Sequence, residues 1–248
     1  MKKLGKALLV ITVLLAAAFG YWRYDSADRM SRATPQALAA LDSDGNVSVT
    51  QNDLIVFRPT NMEPRSGLIF YPGGEVDERG YAEPLRAIAA AGYLVVLVPM
   101  PLQLAVFAPG KADEVVAAFP EIDTWAIAGH SLGGSMAANY AHKHPDTIDG
   151  LLLWDAYAPN DMSASTIAVR MIHRSDDSGS TPADYDSKLV LLPEQTEFVP
   201  LKGGQHLQFG RFVAGRMYRG EPPAELDQDE QLAMVVKYST EFLDNISN

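Results

Sequence analysis

Apolar residues along this chain come in blocks, and the length and spacing of each block predict a different kind of element. Residues 7–20 hold no charge and are apolar on every helical face, as a membrane-targeting segment is and a surface helix of a soluble domain is not. Residues 25–45 are polar with scattered alanine and end in Asp42-Ser43-Asp44-Gly45, so they read as a spacer. From Asn46 the folded unit begins. Two β-rich pieces, 47–50 and 54–57, flank Gln51-Asn52-Asp53 and predict an antiparallel hairpin. Three nearly all-apolar runs bounded by Gly or Pro follow, at 67–71, 93–99 and 124–128, as strands buried on both faces require. Between the first two, Tyr81, Leu85, Ile88 and Ala89 recur at helical spacing, with Pro84 early and Gly92 as a stop. The alternation continues with a helix after Leu132, strands at 150–154 and 169–173, a short helix at 182–188 and a strand at 196–200. A closing helix from about Ala224 carries Leu232, Val235, Val236, Phe242 and Leu243 on its apolar face. Strands alternating with helices predict an α/β fold with a doubly wound, mainly parallel sheet. The 15 or so residues between the strands at 150–154 and 169–173 are too few for a cap domain.

Composition narrows this picture. With 248 residues, 47% of them hydrophobic, the chain buries one sizeable core and is neither disordered nor a chain of small modules. It has no Cys, which excludes thiolate metal sites, disulfides and a lipid-modified cysteine anchor. The formal charge is −11, but the first 24 residues hold Lys2, Lys3, Lys6 and Arg23 and no acid, leaving −15 on the remainder. A body that acidic is a poor partner for a phosphate backbone, so nucleic acid is not expected.

The cations ahead of the apolar run orient it with its N-terminus in the cytoplasm and the domain across the membrane. The 16 uncharged residues from Ala7 to Trp22 reach roughly 24 Å as a helix, against a hydrocarbon core of roughly 30 Å. Tyr21, Trp22 and Tyr24 suit an interfacial belt and an uncleaved anchor, whereas Ala16-Ala17-Ala18 is the small-residue stretch a signal peptidase would use. The expectation is therefore residues 1–24 as anchor or signal, 25–45 as spacer and 46–248 as the domain, held at the membrane on its extracytoplasmic side or secreted after cleavage.

The chemistry-bearing residues cluster after strands. Gly129-His130-Ser131-Leu132-Gly133 places Gly-x-Ser-x-Gly between an apolar strand and a helix, where a strained turn projects Ser131 as a nucleophile. The backbone N–H of Leu132, at the helix start, then faces a developing oxyanion. Of five histidines, only His206 sits in a Gly-rich loop after a late strand, in Lys202-Gly203-Gly204-Gln205-His206, which makes it the candidate base. His142 and His144 read as helix surface, His130 as a packing neighbour and His173 as structural. Asp177 follows the strand at 169–173 and gives the chain order Ser, Asp, His. Asp155, ending the strand before it, and Asp176 are rivals, the latter also a candidate turn cap. Tyr71-Pro72-Gly73-Gly74-Glu75 offers the second oxyanion donor, from Gly74 or failing that Gly73, because glycines let a backbone N–H approach substrate.

Taken together, Tyr71-Pro72-Gly73-Gly74, Gly129-His130-Ser131-Leu132-Gly133-Gly134 and Gly203-Gly204-Gln205-His206-Leu207-Gln208-Phe209-Gly210 resemble the α/β-hydrolase superfamily, and within it the small, lidless, dienelactone-hydrolase-like members. The resemblance covers residues 46–248. It implies a Ser-His-Asp esterase, without metal or organic cofactor, in which Ser131, Asp177 and His206 take the matching positions. Such relatives show Gly-Ser-x-Asp-Gly around the acid, whereas this chain has Arg174-Ser175-Asp176-Asp177-Ser178. Dienelactone hydrolases use a Cys nucleophile, so that activity is not implied. The expected substrate is a small or accessible ester. The alternatives are a thioesterase or lipase on the same triad, and a membrane-tethered binding protein that keeps the fold without turnover.

Overall fold

The computed structural model describes residues 2–183, 185–221 and 223–247. Eight strands form its sheet: β1 (Val47–Gln51), β2 (Ile55–Pro59), β3 (Gly67–Tyr71), β4 (Leu94–Leu97), β5 (Trp125–His130), β6 (Gly150–Trp154), β7 (Ala168–Ser175) and β8 (Glu197–Lys202). Their spatial order is β1-β2-β4-β3-β5-β6-β7-β8. The opening hairpin is antiparallel, with Val47 opposite Pro59 and Gln51 opposite Ile55, and β2 runs antiparallel to β4. Every pairing from β4 through β3 to β8 is parallel.

The helices are α1 (Lys2–Arg29), α2 (Pro35–Ala39), α3 (Ala82–Ala90), α4 (Ala112–Ala118), α5 (Leu132–Lys143), α6 (Asp186–Leu189) and α7 (Gln228–Ile246). Because successive strand residues point to opposite faces, the parallel strands inside the sheet, β3 to β7, feed two cores, while the edge strand β8 feeds one. Leu68, Phe70, Ala126, Leu152 and Trp154 pack under α3 and α7 with Leu85, Ile88, Val235 and Phe242. Ile69, Tyr71, Ile127, Leu151 and Leu153 pack under α4 and α5 with Val115, Ala137 and Ala141. Burial on both faces is what made these strands read as continuous apolar runs.

Several predicted boundaries move: the strand expected at 196–200, for one, runs Glu197–Lys202. Strand β7 continues to Ser175, two residues beyond the expected end, and α7 starts at Gln228 because Asp227 caps it, accepting from the N–H groups of Asp229 and Glu230. The predicted helix at 182–188 is the single turn α6, and Asp184 within that stretch lies outside the described residues, as do Met1 and Asn248 at the ends of the expected segments.

The expected spacer at 25–45 is corrected over residues 26–41, which are built into the domain, while 42–45 are exposed. Ser26, Ser31, Ala37 and Leu41 are buried. Ser31 takes the carbonyl of Glu75 with its N–H (3.0 Å) and gives its own carbonyl to the N–H of Asp77 (2.8 Å). Arg32 and Ala33 pair with Val213 and Phe212 in a two-stranded ribbon. Thr34 caps α2 at Ala37 N–H (3.2 Å). A two-residue strand and a five-residue helix are shorter than any periodicity that a pattern can show.

Ahead of this strap, α1 presents Leu9, Val10, Ile11, Val13, Leu14, Leu15 and Phe19 to the exterior, each more than half exposed. Among the described residues, no helix is long and apolar enough to cross a membrane.

Candidate active site

The chain leaves β3 toward β4 on one side, then returns past β3 to build β5 through β8 on the other. The reversal leaves a crevice at the carboxyl ends of β3 and β5, where open α/β sheets bind ligands. The Gly73-Gly74 loop and Ser131 stand there.

Ser131 joins β5 to α5 with φ 52° and ψ −125°, a conformation that a non-glycine residue adopts only when its surroundings impose it. Its N–H bonds to the carbonyl of Trp154 (3.1 Å) and its carbonyl accepts from Ser135 N–H (3.1 Å). The glycines are steric necessities. A Cβ on Gly129 would lie 2.5 Å from the Gly133 carbonyl carbon, and one on Gly133 would lie 2.2 Å from the carbonyl oxygens of Tyr71 and Pro72. The elbow and the β3 loop are therefore in backbone contact.

That loop separates the two candidate oxyanion donors. The N–H of Gly73 is already used, bonding to Tyr81 Oη at 3.1 Å. Gly74 lies against the elbow: a Cβ there would be 3.0 Å from Leu132 Cδ2 and 3.6 Å from Leu132 Cβ. Glu75 follows at φ 54° with its N–H on the carbonyl of Gln103 (3.0 Å), and Arg29 at the end of α1 holds its carboxylate at 2.7 Å.

His206 opens a 3-10 turn, His206–Phe209, after β8. Gln231, fully buried on α7, grips the residue before it twice: its Oε1 accepts Gln205 N–H at 3.0 Å and its Nε2 donates to Gln205 carbonyl at 2.9 Å. Nδ1 of His206 lies 2.5 Å from Oδ2 of Asp155, whose side chain is fully buried. Asp155 follows β6 at φ 43° with its N–H on the Ile172 carbonyl (2.7 Å). Arg174 donates to both carboxylate oxygens, from its N–H to Oδ1 (3.2 Å) and from Nη1 to Oδ2, and Nη1 stands 3.0 Å from His206 Nδ1.

The carboxylate facing the histidine is thus Asp155, and the assignment of Asp177 is corrected. The two extra residues of β7 carry the chain past the crevice, and the Arg174 side chain occupies the space between that strand and His206. Asp177 is exposed on the rim of a cavity of about 970 Å³ that His206, Arg174, Asp176 and Glu221 also line and whose wall does not include Ser131. Asp176 caps its own turn by accepting Ser178 N–H (2.9 Å) and hydroxyl, which hold its pKa below the usual carboxylate value. His173 is buried with Nδ1 2.9 Å from the Arg174 carbonyl. Among the described residues, no three His, Asp or Glu side chains form a group that could hold a metal ion.

Two side chains at the crevice went unnoticed in the sequence. Tyr81 read as one apolar position of a helical stripe, although its hydroxyl reaches His130 Nδ1 at 2.7 Å. Arg174 stood only as a departure from a loop pattern. The usable signal for Asp155 was its place directly after an all-apolar strand, in Leu153-Trp154-Asp155.

With this geometry in place, comparison with known proteins assigns the family. A profile described as "Alpha/beta hydrolase family" matches residues 67–233. The chain belongs to the alpha/beta hydrolase family. Solved structures with the same fold include TT1662 from Thermus thermophilus, at TM-score 0.61 and 14% identity over 82% of this chain and 99% of that one. Est1E from Butyrivibrio proteoclasticus aligns at TM-score 0.57 and 14% identity, over 81% and 98%. A structure titled for the metagenome-derived lipolytic enzymes LipS and LipT aligns at 0.56 and 11%, over 81% and 98%. No curated protein matches the chain in sequence.

Proposed function

We propose that this alpha/beta hydrolase is a serine carboxylesterase acting on small or accessible esters, with Ser131 as nucleophile, His206 as base and Asp155 as the acid that orients it. The observation that carries the reading is Ser131 at φ 52° on a turn whose neighbours must be glycine. A strained, closely packed serine with an imidazole–carboxylate pair at the same end of the sheet is the arrangement acyl transfer needs. A family whose described neighbours include lipolytic enzymes supports the same class of reaction.

In the first half-reaction Ser131 Oγ bonds to the ester carbonyl carbon while its proton passes to His206 Nε2. The carbonyl electron pair moves onto oxygen, where the N–H groups of Leu132 and Gly74 stabilise it. Collapse breaks the bond to the alcohol oxygen, which leaves with the proton from His206. Water then attacks the acyl-enzyme and gives a proton to His206, which passes it to Ser131 Oγ as the acyl–oxygen bond breaks and the acid leaves. Asp155 stays ionised throughout, fixing the proton on Nδ1 and stabilising the imidazolium. Only residues 155–167 separate β6 from β7, so no cap domain grows from that connection, and an open crevice suits esters presented in water or at a surface.

The exposed apolar residues of α1 support a second element of the proposal: this helix associates with a membrane, with the domain on the extracytoplasmic side. An all-round apolar helix left in water is costly. Alkaline carbonate extraction of cell membranes tests it, and a chain released wholly into the wash would overturn it.

The activity is tested with the full chain in detergent, by hydrolysis of p-nitrophenyl butyrate and labelling with a fluorophosphonate. Ser131→Ala is expected to lose about 10⁴-fold or more in kcat and all labelling. A wild-type chain inert to both reagents would overturn the reading in favour of a binding role.

A further inference from the structure

We infer that Tyr81 and His130 are positioning residues, forming a hydrogen-bonded tie that sets the oxyanion loop and the general base relative to each other. The inference rests on the serine hydrolase reading and concerns how its two halves stay in register.

The chain of contacts is continuous. Gly73 N–H donates to Tyr81 Oη (3.1 Å), and Tyr81 Oη lies 2.7 Å from His130 Nδ1. The His130 ring stands 4.4 Å from the His206 ring, centroid to centroid, and stacks at 21° on Phe209 in the same turn as His206. Tyr81 Oη accepts from Gly73, which leaves its one proton free to go to His130 Nδ1; the other neutral tautomer of His130 would instead donate from Nδ1 to the same oxygen, and either bond joins the two side chains. With the phenol as donor, His130 is the neutral tautomer protonated at Nε2, an atom that has no hydrogen-bond partner among the described residues. Burial, then the nearby His206 and Arg174, hold its pKa well below that of a free histidine, so it stays neutral as geometry demands. A charged His130 would lose the lone pair that receives Tyr81 and would repel the imidazolium formed on His206.

The tie leaves no slack. A Cβ on Gly73 would lie 2.8 Å from Tyr81 Oη and 3.1 Å from His130 Nδ1. Tyr81 is pinned by its ring, 5.0 Å from Phe70 and 5.1 Å from Phe212, so its hydroxyl is a fixed post. Gly73 hangs from that post and Gly74 follows it directly, which makes the position of the proposed donor a consequence of Tyr81. The arrangement also explains why the apolar stripe that leads into α3 begins with a tyrosine where phenylalanine would pack as well.

The test uses the full-length protein and compares wild type with Tyr81→Phe, which deletes the post and keeps the ring. Expected are a fall in kcat of about 10- to 100-fold, smaller than loss of a whole oxyanion donor, with KM changed less than twofold. Affinity for a trifluoromethyl ketone analogue should fall by the same factor as kcat. His130→Asn, which keeps an acceptor near the place of Nδ1, should retain more activity than His130→Leu. A Tyr81→Phe enzyme within twofold of wild type in kcat and inhibitor affinity would overturn the inference while Ser131-dependent turnover in wild type left the hydrolase reading standing. Equal losses in His130→Asn and His130→Leu would overturn it too, and that pair decides the matter if Tyr81→Phe fails to fold. Absence of Ser131-dependent turnover in wild type would remove both.

Discussion

The Ser131 side of the crevice and the Asp155 side are held in place by different physics. Around Ser131, backbone meets backbone: Gly129 against Gly133, and Gly133 against the carbonyls of Tyr71 and Pro72, with no room for a methyl group. Around Asp155 the hold is electrostatic, a buried carboxylate between the Arg174 guanidinium and His206 Nδ1. Steric fixing tolerates almost no substitution, whereas a charge network can be entered from more than one strand end. Asp155 and Asp177 follow adjacent strands, and what separates them is which one faces His206 across the Arg174 side chain.

The largest effect that would break this comparison is on the acid side. Asp155→Asn should lower kcat by about 10⁴-fold, because an amide cannot hold the base in its working tautomer. Asp177→Asn should leave kcat within about twofold. Steady-state kinetics on the two variants decide it: a crippled Asp177→Asn beside an active Asp155→Asn would return the acid to the β7 loop.

On the nucleophile side the expected effect is smaller in rate but reaches into stability. Gly133→Ala puts a methyl carbon 2.2 Å from two carbonyl oxygens. The β3 loop must then move away from the elbow, and a displacement of about 1 Å at a catalytic centre costs on the order of 10²-fold in rate. Overpacking of this kind also destabilises by about 3 kcal/mol. Urea unfolding beside turnover measures both, and an alanine variant that kept wild-type stability would mean that the elbow is looser than its contacts indicate.

The same contrast explains what could be read from the residues alone. The alternating strands and helices, the elbow and the Gly73-Gly74 loop were legible because each needs a particular residue type at a particular place: β-branched and apolar runs for doubly buried strands, glycine where backbones touch. His206 was legible for the same reason, lying among glycines after the last strand. The carboxylate that faces His206 was not, because any carboxylate after β6 or β7 obeys the same chain order, and only the extension of β7 to Ser175 and the reach of Arg174 separate them. The strap from Ser26 to Leu41 was hidden too. Its burial comes from pairing with Glu75, Asp77 and Phe212, residues far along the chain that no local pattern reports.

The smallest expected effect sharpens the electrostatic half of the comparison. His130 and His173 are both buried, and burial, the largest influence on each, pushes their pKa values below the free value of 6.5. In the unfolded chain both take up protons as pH falls through about 6.5, while in the folded protein they resist until lower pH. The unfolded state therefore binds more protons in that window. The stability these neutral rings contribute is fully present above about pH 6.5 and is lost as pH falls from there toward their folded values, with a slope of up to about 1.4 kcal/mol per pH unit for each histidine. Urea midpoints at pH 7.0, 6.0 and 5.0 should decline, and those of His130→Asn should decline less steeply because one of the two groups is gone. Parallel slopes for the two proteins would mean that His130 already carries its proton in the fold, which would also remove the acceptor on which the tie from Gly73 through Tyr81 depends.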